Sequence, residues 1–494
     1  MSKNAGGRNE KKATATGTFA GGSPFRNIYR HALPCLPEHT LRVMEEELKM
    51  KALNYHANER AGKTEVMPTK PFGTVEDLSL AYTPGVAAPV KEINKDRWKA
   101  YRYTNKGNLV AVVSNGSAVL GAGNVGALAS KPVMEGKAML FKIFADIDAF
   151  DIEISDEETD RIVATIQAIA PTFGGINLED IKAPECFSIE ERLRGLLDIP
   201  VLHDDQHGAA TVITAALLNA CTIAGKELSK IRIVICGAGA AGISTARMLI
   251  HIGVPKEHIL MVDSKGVISS NRRELDSYKT EFAADTAITT LSQAMINADA
   301  FIGVSKGDLL QEQDLEVMGE RPIIFALANP TPEIDYHRAC TLRPDAIVAT
   351  GRTDLPNQIN NALAFPYIFR GALDTQSATI NDAMLVAAAK SIAAIAHEPV
   401  PKEIEQRYSK ELKFGKEYIL PKLGDPRLLA CVTEAVARAA MESGIARRSI
   451  ASFKEYRKEL ESRVDNVQFF GSELMRHRSR TRNHPGCENR LEKR

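Results

Sequence analysis

The sequence predicts an α/β protein built on mainly parallel sheets, and two observations carry this prediction. Short apolar runs of strand type, such as 231–236, 259–264 and 299–305, alternate with longer segments of helical type. This alternation is typical of doubly wound sheets, in which helices cover both faces of parallel strands. A glycine-rich turn, GAGAAG at 237–242, directly follows one of the predicted strands.

The same patterns place the other elements in order along the chain. Helices are predicted over 130–145, 161–170, 208–225 and 382–396, and strand-forming runs over 109–123, 322–330 and 346–351. Pro132 suits the first turn of the helix at 130–145, because proline lacks the N–H that this turn leaves unpaired. Gly225 suits the end of the helix at 208–225. An Asn-Gly turn divides the run at 109–123 into two β-rich parts.

Composition excludes some classes of protein. The 494 residues include 62 Lys+Arg and 62 Asp+Glu, so the charge balance gives no reason to expect nucleic acid or an anionic membrane as a partner. No apolar run is expected to reach the roughly 18–20 residues of a membrane-spanning helix. The seven scattered cysteines lack any C-x-x-C pair, which predicts free thiols in a reducing compartment. We therefore expect the cytoplasm.

The turn at 237–242 has the spacing of a dinucleotide fingerprint. Gly237 permits the tight turn, Gly239 lets the backbone approach a pyrophosphate, and Gly242 allows close packing of helix on strand. The intervening Ala238, Ala240 and Ala241 complete the predicted contact segment.

Two residues at the end of the next predicted strand favour different coenzymes. Asp263 is able to accept hydrogen bonds from a ribose 2′-hydroxyl, which favours NAD, whereas Lys265 suits the 2′-phosphate of NADP. The choice between NAD and NADP stays open. Asn329, which ends the strand in ALANP, is predicted to lie by the nicotinamide ribose, although a simple turn explains it as well.

A second segment, GAGNVG at 121–126, fits the same spacing, and Asp146 follows it by about 20 residues. The copy at 237–242 fits a dinucleotide better, because it follows a continuous hydrophobic strand and several more α/β units come after it. We interpret the copy at 121–126 as a packed glycine turn that lines a substrate cleft.

Acidic residues follow two of the predicted strands. Glu179 and Asp180 lie in NLEDIKAPE, and Asp205 lies in LHDDQHG. Because strand-end loops meet at one edge of a parallel sheet, these carboxylates are predicted to converge. Oxygen ligands of this kind suit Mg²⁺ or Mn²⁺. Asp204 is expected to cap the following helix or to support the site, and His203 and His207 are expected to be supporting or structural residues.

Two further residues carry possible proton chemistry. Lys137 projects from the predicted helix at 130–145, and a lysine near a cation can act as a general base if its pKa is lowered. Tyr82 precedes a Thr-Pro-Gly turn in an apolar stretch, where its hydroxyl is placed to donate a proton. Taken singly, an exposed lysine and a core tyrosine remain open alternatives.

These motifs together resemble the malic enzymes, in their compact bacterial form. The resemblance covers about residues 45–465 and is carried by AYTPGVA (81–87), VLGAGNVGALASKPVMEGKA (119–138), NLEDIKAPECF (177–187), VLHDDQHGAA (201–210), ALANPTPEI (326–334) and ATGRTDLPNQINNALAFPYIFRGALD (349–374). It implies oxidative decarboxylation of L-malate to pyruvate and CO₂ with reduction of NAD or NADP, in a homodimer or homotetramer whose active site is shared between subunits.

The resemblance also implies roles for single residues. Tyr82 corresponds to the general acid, Lys137 to the general base, and Asn329 to a coenzyme contact. Asn360 and Asn361 lie where the family holds substrate and nicotinamide. The implied metal ligands are Glu179, Asp180 and Asp205. No arginine stands where larger members hold a malate carboxylate, so that contact is left to a lysine or to backbone amides at 121–126.

The predicted domain order follows from these assignments. An N-terminal α/β substrate domain at 41–205 precedes a doubly wound Rossmann-type NAD(P)-binding domain with C-terminal helices at 206–465. Residues 1–40 contain only Glu10 and Glu38 as acids and are predicted to be a disordered tail or a transit peptide, which would direct the chain to an organelle matrix. A basic tail is predicted at 466–494.

Two other functions remain open from the sequence. A metal-independent NAD(P) dehydrogenase of another small acid would need the glycine turn and Lys137 but not the acids. A non-catalytic coenzyme-binding protein would need neither Lys137 nor the acids.

Overall fold

The computed structural model describes residues 38–57, 60–119 and 122–463. The predicted basic tail at 466–494 lies outside these residues, as do the predicted N-terminal tail up to residue 37 and Leu120 and Gly121 of the first glycine turn. The first described segment is a helix, α1, at Glu38–Ala57. Residues from 60 onward form a separate compact unit that contains both sheets.

Helices and strands alternate through this unit. The strands are β1 Leu109–Ser114, β2 Asp148–Glu153, β3 Gly175–Leu178, β4 Val201–His203, β5 Ile233–Cys236, β6 Ile259–Asp263, β7 Gly266–Val267, β8 Ala300–Gly303, β9 Ile323–Ala326 and β10 Ile347–Thr350. The α-helices are α2 Val75–Ala81, α3 Ala87–Lys95, α4 Ala100–Tyr103, α5 Ala127–Ala145, α6 Thr159–Ile169, α7 Glu185–Leu196, α8 Ala209–Ala224, α9 Ala240–His251, α10 Ser277–Thr280, α11 Leu291–Met295, α12 Glu312–Glu316, α13 Tyr336–Leu342, α14 Phe365–Asp374, α15 Asp382–Ile395, α16 Lys402–Tyr408, α17 Arg427–Glu442 and α18 at 453–463.

The first sheet has four parallel strands in the order β2-β1-β3-β4. Strands β1, β3 and β4 are buried along their whole length, which is why they read as continuous apolar runs. The prediction of a second β-rich part within 109–123 is wrong for the described residues. Beyond Ser114 the chain forms a loop, in which only Val119 pairs, with Gly123.

The second sheet has six strands in the order β10-β9-β8-β5-β6-β7. All neighbours are parallel except the short β7, which runs antiparallel to β6. The chain order reverses between β5 and β8, so a crevice opens at the carboxyl ends of these strands, where doubly wound sheets bind ligands. The prediction of an α/β protein with a Rossmann-type second part is confirmed.

The structure corrects the expectation that no apolar run is as long as a membrane-spanning helix. The helical segment Asp204–Ala224 is long and apolar enough to cross a membrane by length and composition, and 72% of its apolar window is buried inside the fold. This burial is that of a core helix: α8 places Val212, Leu217 and Ala220 in the interior and ends at Gly225, which takes up the left-handed conformation.

After β10 the chain returns to the first sheet. Phe365 and Phe369 of α14 contact Phe141 of α5 with ring centroids 4.7 and 5.3 Å apart, both edge to face. Such pairs contribute roughly 0.5–1.5 kcal/mol each beyond the burial of their area. This packing carries residues just before α14 to the edge of the first sheet where the acids lie.

Helices α2 and α3 leave their apolar side chains uncovered in the single chain. Neither helix has a buried residue. Val75 is 86% exposed and Leu80 is 67% exposed. A Thr74–Asp77 capping box nevertheless fixes the start of α2, so the helix is well defined without a covering layer.

Candidate active site

Three carboxylates meet at the carboxyl edge of the first sheet. Glu179 and Asp180 follow β3, and Asp205 follows the neighbouring strand β4. One oxygen from each lies within 4.8 Å of the others. The structure therefore brings together the three acids that were expected to converge. Their binding of a metal stays a prediction.

The hydrogen-bond donors around this cluster do not occupy all of the acceptor positions on its carboxylate oxygens. Asn177 Nδ2 donates to Glu179 Oε2 at 3.0 Å, and the backbone N–H of Asp180 donates to Asp205 Oδ2 at 2.9 Å. Asp180 Oδ2 is buried without a hydrogen-bond partner in the described part of the chain. A buried, unpaired carboxylate oxygen beside two further acids is costly unless a cation completes the site, so the residues fit a hard divalent ion.

Electrostatics supports this reading. Burial, reinforced by the carboxylate of Asp205, raises the pKa of Asp180 to about 7. Burial also raises the pKa of Glu179 well above its usual range, although Lys137 opposes this effect. The protein thus holds acids that resist ionisation until a positive charge arrives.

Lys137 lies at the border of the cluster. Its Nζ is 2.8 Å from Glu179 Oε1 and 2.6 Å from Asp204 Oδ2, and it lies 4.3 Å from the centre of the Phe365 ring. Burial alone would lower the pKa of Lys137, but Asp204 and Glu179 outweigh burial and raise it. Its helix begins at Ala127 rather than near Pro132, so Pro132 lies inside the helix.

Asp204 has a different role from the expected helix cap. Its carboxylate accepts from Lys137 Nζ and from Asn361 Nδ2 through the same Oδ2 atom, and from no backbone N–H in the described residues. Of the two expected roles, helix cap or support of the site, the contacts match support: the chain turns through a π-helical segment, Asp204–Gly208, and this side chain contacts Lys137. Gly208 makes room for it: a Cβ there would lie 1.8 Å from Asp204 Oδ1.

The two neighbouring histidines lie outside the carboxylate cluster. His207 Nε2 is 3.0 Å from Glu190 Oε2. His203 is fully buried, and its Nδ1 lies 3.8 Å from Asp205 Oδ2, beyond hydrogen-bond distance. Both positions match a supporting role rather than direct membership of the acid cluster.

The asparagines after β9 and β10 reach the site to different extents. Asn361 contacts Asp204, while Asn360 accepts from the N–H of Ala362 and caps a short 3₁₀ turn. Asn329 packs against Gly351, where a Cβ would come within 2.5 Å of its Nδ2. The structure thus places Asn361 beside Lys137, and it places Asn329 at the carboxyl edge of the second sheet.

Tyr82 is not part of this cluster in the single chain. It ends α2 and is 70% exposed. The structure shows no hydrogen bond from its hydroxyl among the described residues. In the first glycine turn, the N–H groups of Val125 and Gly126 both donate to Gly116 O, which packs the turn against the loop after β1. The same loop contacts an acid of the cluster, since the N–H of Ala118 donates to Asp180 O.

The glycine fingerprint has the geometry that the sequence predicts. A Cβ at Gly242 would lie 1.8 Å from Gly237 O, and one at Gly237, whose φ is +118°, would lie 2.5 Å from Val304 O. A Cβ at Gly239 would meet no atom within 4 Å, so this part of the backbone faces open space. Two glycines permit close packing, and the third leaves room for a phosphate at the start of α9.

A cavity of about 730 Å³ opens above this turn. Its lining includes Gly237, Ala238 and Gly239 of the fingerprint, and Pro184 and Phe187 from the segment that follows the acids. The nucleotide cavity and the carboxylate cluster therefore share the loop and helix after β3.

Several residues that contribute here were not singled out from the sequence. Arg272 and Lys279 both bind the carboxylate of Asp263. They follow Asp263 by 9 and 16 residues, in the segment NRRELDSYK, whose three basic residues were the available signal. Asn177 orients Glu179 from inside β3, where its polar side chain in a buried strand was a signal.

The fold and the site define a class: an α/β protein with a dinucleotide-binding Rossmann sheet and a second sheet that presents a carboxylate cluster next to the nucleotide cavity. Family models agree. The model for the malic enzyme N-terminal domain matches residues 61–160 and 153–194, and that for the malic enzyme NAD binding domain matches residues 206–406. The chain belongs to the malic enzyme family.

Individual relatives give the extent of the similarity. An NADP-dependent malic enzyme of Halomonas elongata is 52% identical over 82% of this chain and 96% of its own length. An NADP-dependent malic enzyme of Rhizobium meliloti is 50% identical over 91% of this chain, which spans only 59% of that longer relative. The crystal structure of malic enzyme from Pyrococcus horikoshii Ot3 is 43% identical, with a TM-score of 0.81 over 87% of this chain and 99% of that one.

Proposed function

We propose that this protein catalyses the oxidative decarboxylation of L-malate to pyruvate and CO₂, with reduction of NAD⁺ or NADP⁺ and dependence on Mg²⁺ or Mn²⁺. The observation that carries the proposal is the position of Lys137. Its ammonium lies between an acid of the carboxylate cluster and Asp204. The loop and helix that follow this acid line the nucleotide cavity through Pro184 and Phe187. Family membership and the names of the relatives support the same activity.

Glu179, Asp180 and Asp205 would hold the divalent ion. Bound there, such an ion supplies Lewis-acid stabilisation of negative charge on the malate oxygens and on the product of CO₂ loss. Glu179 would then share its oxygens between the ion and Lys137, and its negative field on the lysine would weaken. Asn177 keeps Glu179 in place through the 3.0 Å hydrogen bond from its amide.

Lys137 is the proposed general base for the C2 hydroxyl of malate. As a base it must be neutral, yet Asp204 and Glu179 raise its pKa and favour the ammonium. Loss of one of these two fields lowers the pKa of Lys137 towards the working range of the enzyme. Asp204 and Phe365 hold the amine in position throughout, since both contact it directly.

Tyr82 is the proposed general acid that protonates C3 after CO₂ has left. In the single chain it is 70% exposed, on helices that bury none of their side chains. We therefore propose that the working unit is a homodimer or a larger homo-oligomer in which a second copy covers α2 and α3. Tyr82 of one copy would then complete the site around Lys137 of the other.

One assay tests the proposal against both alternatives. Absorbance of the reduced coenzyme is followed with L-malate and either NAD⁺ or NADP⁺, with Mn²⁺ and after treatment with EDTA. We expect pyruvate and reduced coenzyme in equal amounts, and loss of turnover with EDTA. Turnover that resists EDTA supports a metal-independent dehydrogenase, and binding of coenzyme without turnover supports a non-catalytic protein.

A further inference from the structure

A buried carboxylate joins the two loops that follow strands β8 and β9. Glu333 is fully buried. Its Oε1 accepts from the N–H of Ser305 at 3.1 Å, two residues after the end of β8. Its Oε2 accepts from the N–H of Ala328 at 3.0 Å, two residues after the end of β9. Each oxygen holds the start of a different loop, so one side chain fixes the two loops relative to each other.

The chain around Glu333 is shaped for this bridge. Gly303, the last residue of β8, lies directly against the carboxylate, since a Cβ there would come within 2.4 Å of Glu333 Cδ. The backbone carbonyls of Pro332 and Glu333 accept from the N–H groups of Asp308 and Leu310, both at 3.0 Å. The two loops therefore interlock at several points, and a side chain at position 303 would displace the carboxylate.

The bridge needs a carboxylate, although burial of this group is unfavourable. Burial raises the pKa of Glu333, and the N–H groups of Ala328 and Ser305 oppose this effect. Hydrogen bonds from N–H groups to a carboxylate are charge-assisted and roughly twice as strong as neutral ones. A glutamine could not replace both, because its amide has a single acceptor oxygen and an NH₂ group that would face the second N–H.

The bridged loops form one side of the nucleotide cavity. Ser305 and Lys306 line this cavity, and Ser305 Oγ lies 3.6 Å from Cys236 Sγ at the end of β5. Asn329, which the resemblance assigns to a coenzyme contact, lies on the loop after β9. A dinucleotide crosses the point between β5 and β8 where the strand order reverses, so its half remote from β6 lies over these loops. Glu333 is therefore placed behind the segments that would hold the nicotinamide half.

We propose that Glu333 is a positioning residue for hydride transfer: it fixes the loops after β8 and β9 so that the nicotinamide ring is held in place against malate. The proposal rests on the proposed function for both the dinucleotide and malate. The cavity lining formed by the described residues does not include Glu333, so its action passes through the backbone of Ser305 and Ala328.

The kinetics of Glu333→Gln test this role. We expect kcat for malate oxidation to fall ~10–100-fold, because displacement of reacting groups by about 1 Å costs on the order of 10²-fold. The primary isotope effect on kcat, measured with malate deuterated at C2, should rise as hydride transfer becomes the slow step. Glu333→Asp, which keeps the charge on a shorter side chain, should show smaller changes in both quantities.

The fluorescence of reduced coenzyme gives a second readout that needs no turnover. The emission of the reduced nicotinamide ring of NADH or NADPH reports how firmly the ring is held when the coenzyme binds. In Glu333→Gln the increase in emission on binding should be largely lost. The affinity for 5′-AMP, which lacks the nicotinamide half, should stay unchanged in titration calorimetry.

Asp314→Asn is the matched control for loss of a buried carboxylate. Asp314 is 3% exposed, accepts from the N–H of Gln311 at 2.9 Å, and lies on α12 in the same part of the chain. Among the described residues that line the cavity, Asp314 is absent. Its substitution should lower the melting temperature and leave kcat, the isotope effect and the coenzyme fluorescence unchanged.

Hydrogen–deuterium exchange of the intact protein tests the bridge without any variant. Peptides that cover residues 303–310 and 326–334 should exchange slowly in the absence of ligands, because Glu333 and the interlocked backbone protect their N–H groups. Rapid exchange of both segments would overturn the proposal, even if Glu333→Gln does not fold.

Two results with folded Glu333→Gln would also overturn the proposal. One is an unchanged kcat with an unchanged isotope effect. The other is a loss of activity that only follows the loss of folded protein, with the isotope effect and the fluorescence per folded site unchanged, because this shows a structural role alone. An intact protein that binds reduced coenzyme but does not oxidise malate would instead contradict the proposed function, and the fluorescence comparison would still decide whether Glu333 holds the ring.

Discussion

Lys137 Nζ lies 2.6 Å from Asp204 Oδ2 and joins the middle of α5 to the loop after β4. Both groups are buried, so each depends on its partners for charge compensation, and Lys137 also pairs with Glu179. The pair also sets the proton affinity of the lysine. The proposed catalysis by Lys137 would therefore depend on Asp204 as well as on Glu179.

Asp204→Asn should move the acid limb of the kcat/KM profile to lower pH. The carboxylate raises the pKa of Lys137, so its removal lowers that pKa, by about 1–3 pH units for an opposite charge at this distance. The measurement is malate oxidation across pH. Asp148→Asn, which removes an exposed partner of Lys142 on the same helix, is the control and should not shift the limb. An unmoved limb in Asp204→Asn would mean that Lys137 is not the titrating base.

Asp180→Asn should weaken the binding of Mn²⁺ and stabilise the metal-free protein. The pKa of Asp180 is about 7 in the fold, above its unfolded value of about 3.9, so ionisation opposes folding and its cost grows as pH rises through that window. Asparagine removes the charge and tolerates the positive φ of +52° at this residue.

Two measurements check this variant. Calorimetry should show ~10-fold or more loss of Mn²⁺ affinity, and in the intact protein this affinity should itself fall as pH drops below about 7, because protons compete for Asp180. Urea unfolding after chelation should show a gain of ~1–3 kcal/mol at pH 8 that shrinks towards pH 4. A pH-independent gain would place its cause elsewhere.

Two glycine substitutions in the fingerprint should separate binding from folding. Gly239→Ala places its Cβ in open space, so unfolding should change by less than about 0.5 kcal/mol while coenzyme affinity falls ~10-fold or more. Gly242→Ala places its Cβ 1.8 Å from Gly237 O and should cost ~1–3 kcal/mol or more. An unchanged coenzyme affinity in Gly239→Ala would show that the coenzyme phosphate does not bind at this turn.

Mixing two inactive variants tests the sharing of sites between copies. Lys137→Ala and Tyr82→Phe should each lose ~10²–10⁴-fold in kcat. If each site takes Lys137 from one copy and Tyr82 from the other, random dimers of the two variants should recover about a quarter of the original activity. No recovery after verified subunit exchange would show that both residues act within one chain, or that Tyr82 has no catalytic role.

The parallel strands and the fingerprint were predictable because their signals are local. Strand β5 is a continuous apolar run, and the glycines after it have a fixed spacing that follows from steric need. The gathering of Glu179, Asp180 and Asp205 was also predictable, since loops after neighbouring parallel strands share one edge. In each prediction a rule of geometry linked residues that are distant in sequence.

The remaining features depend on contacts that no spacing rule encodes. Asp204 turns to Lys137 only because a π-helical segment replaces the expected cap. Asp263 is occupied by Arg272, from an irregular loop, and by Lys279, from the short helix α10. In our proposal a second copy of the chain covers Tyr82. The sequence of one chain contains no geometric rule that predicts such an interface.

The most direct test of the account is a crystal structure with Mn²⁺, using anomalous scattering to locate the ion. The account predicts a peak bonded to oxygens of Glu179, Asp180 and Asp205 at metal–oxygen distances of about 2.0–2.3 Å, with Lys137 Nζ still beside Asp204. An ion bound elsewhere, with these three carboxylates turned apart and Asp180 Oδ2 still without a partner, would contradict it.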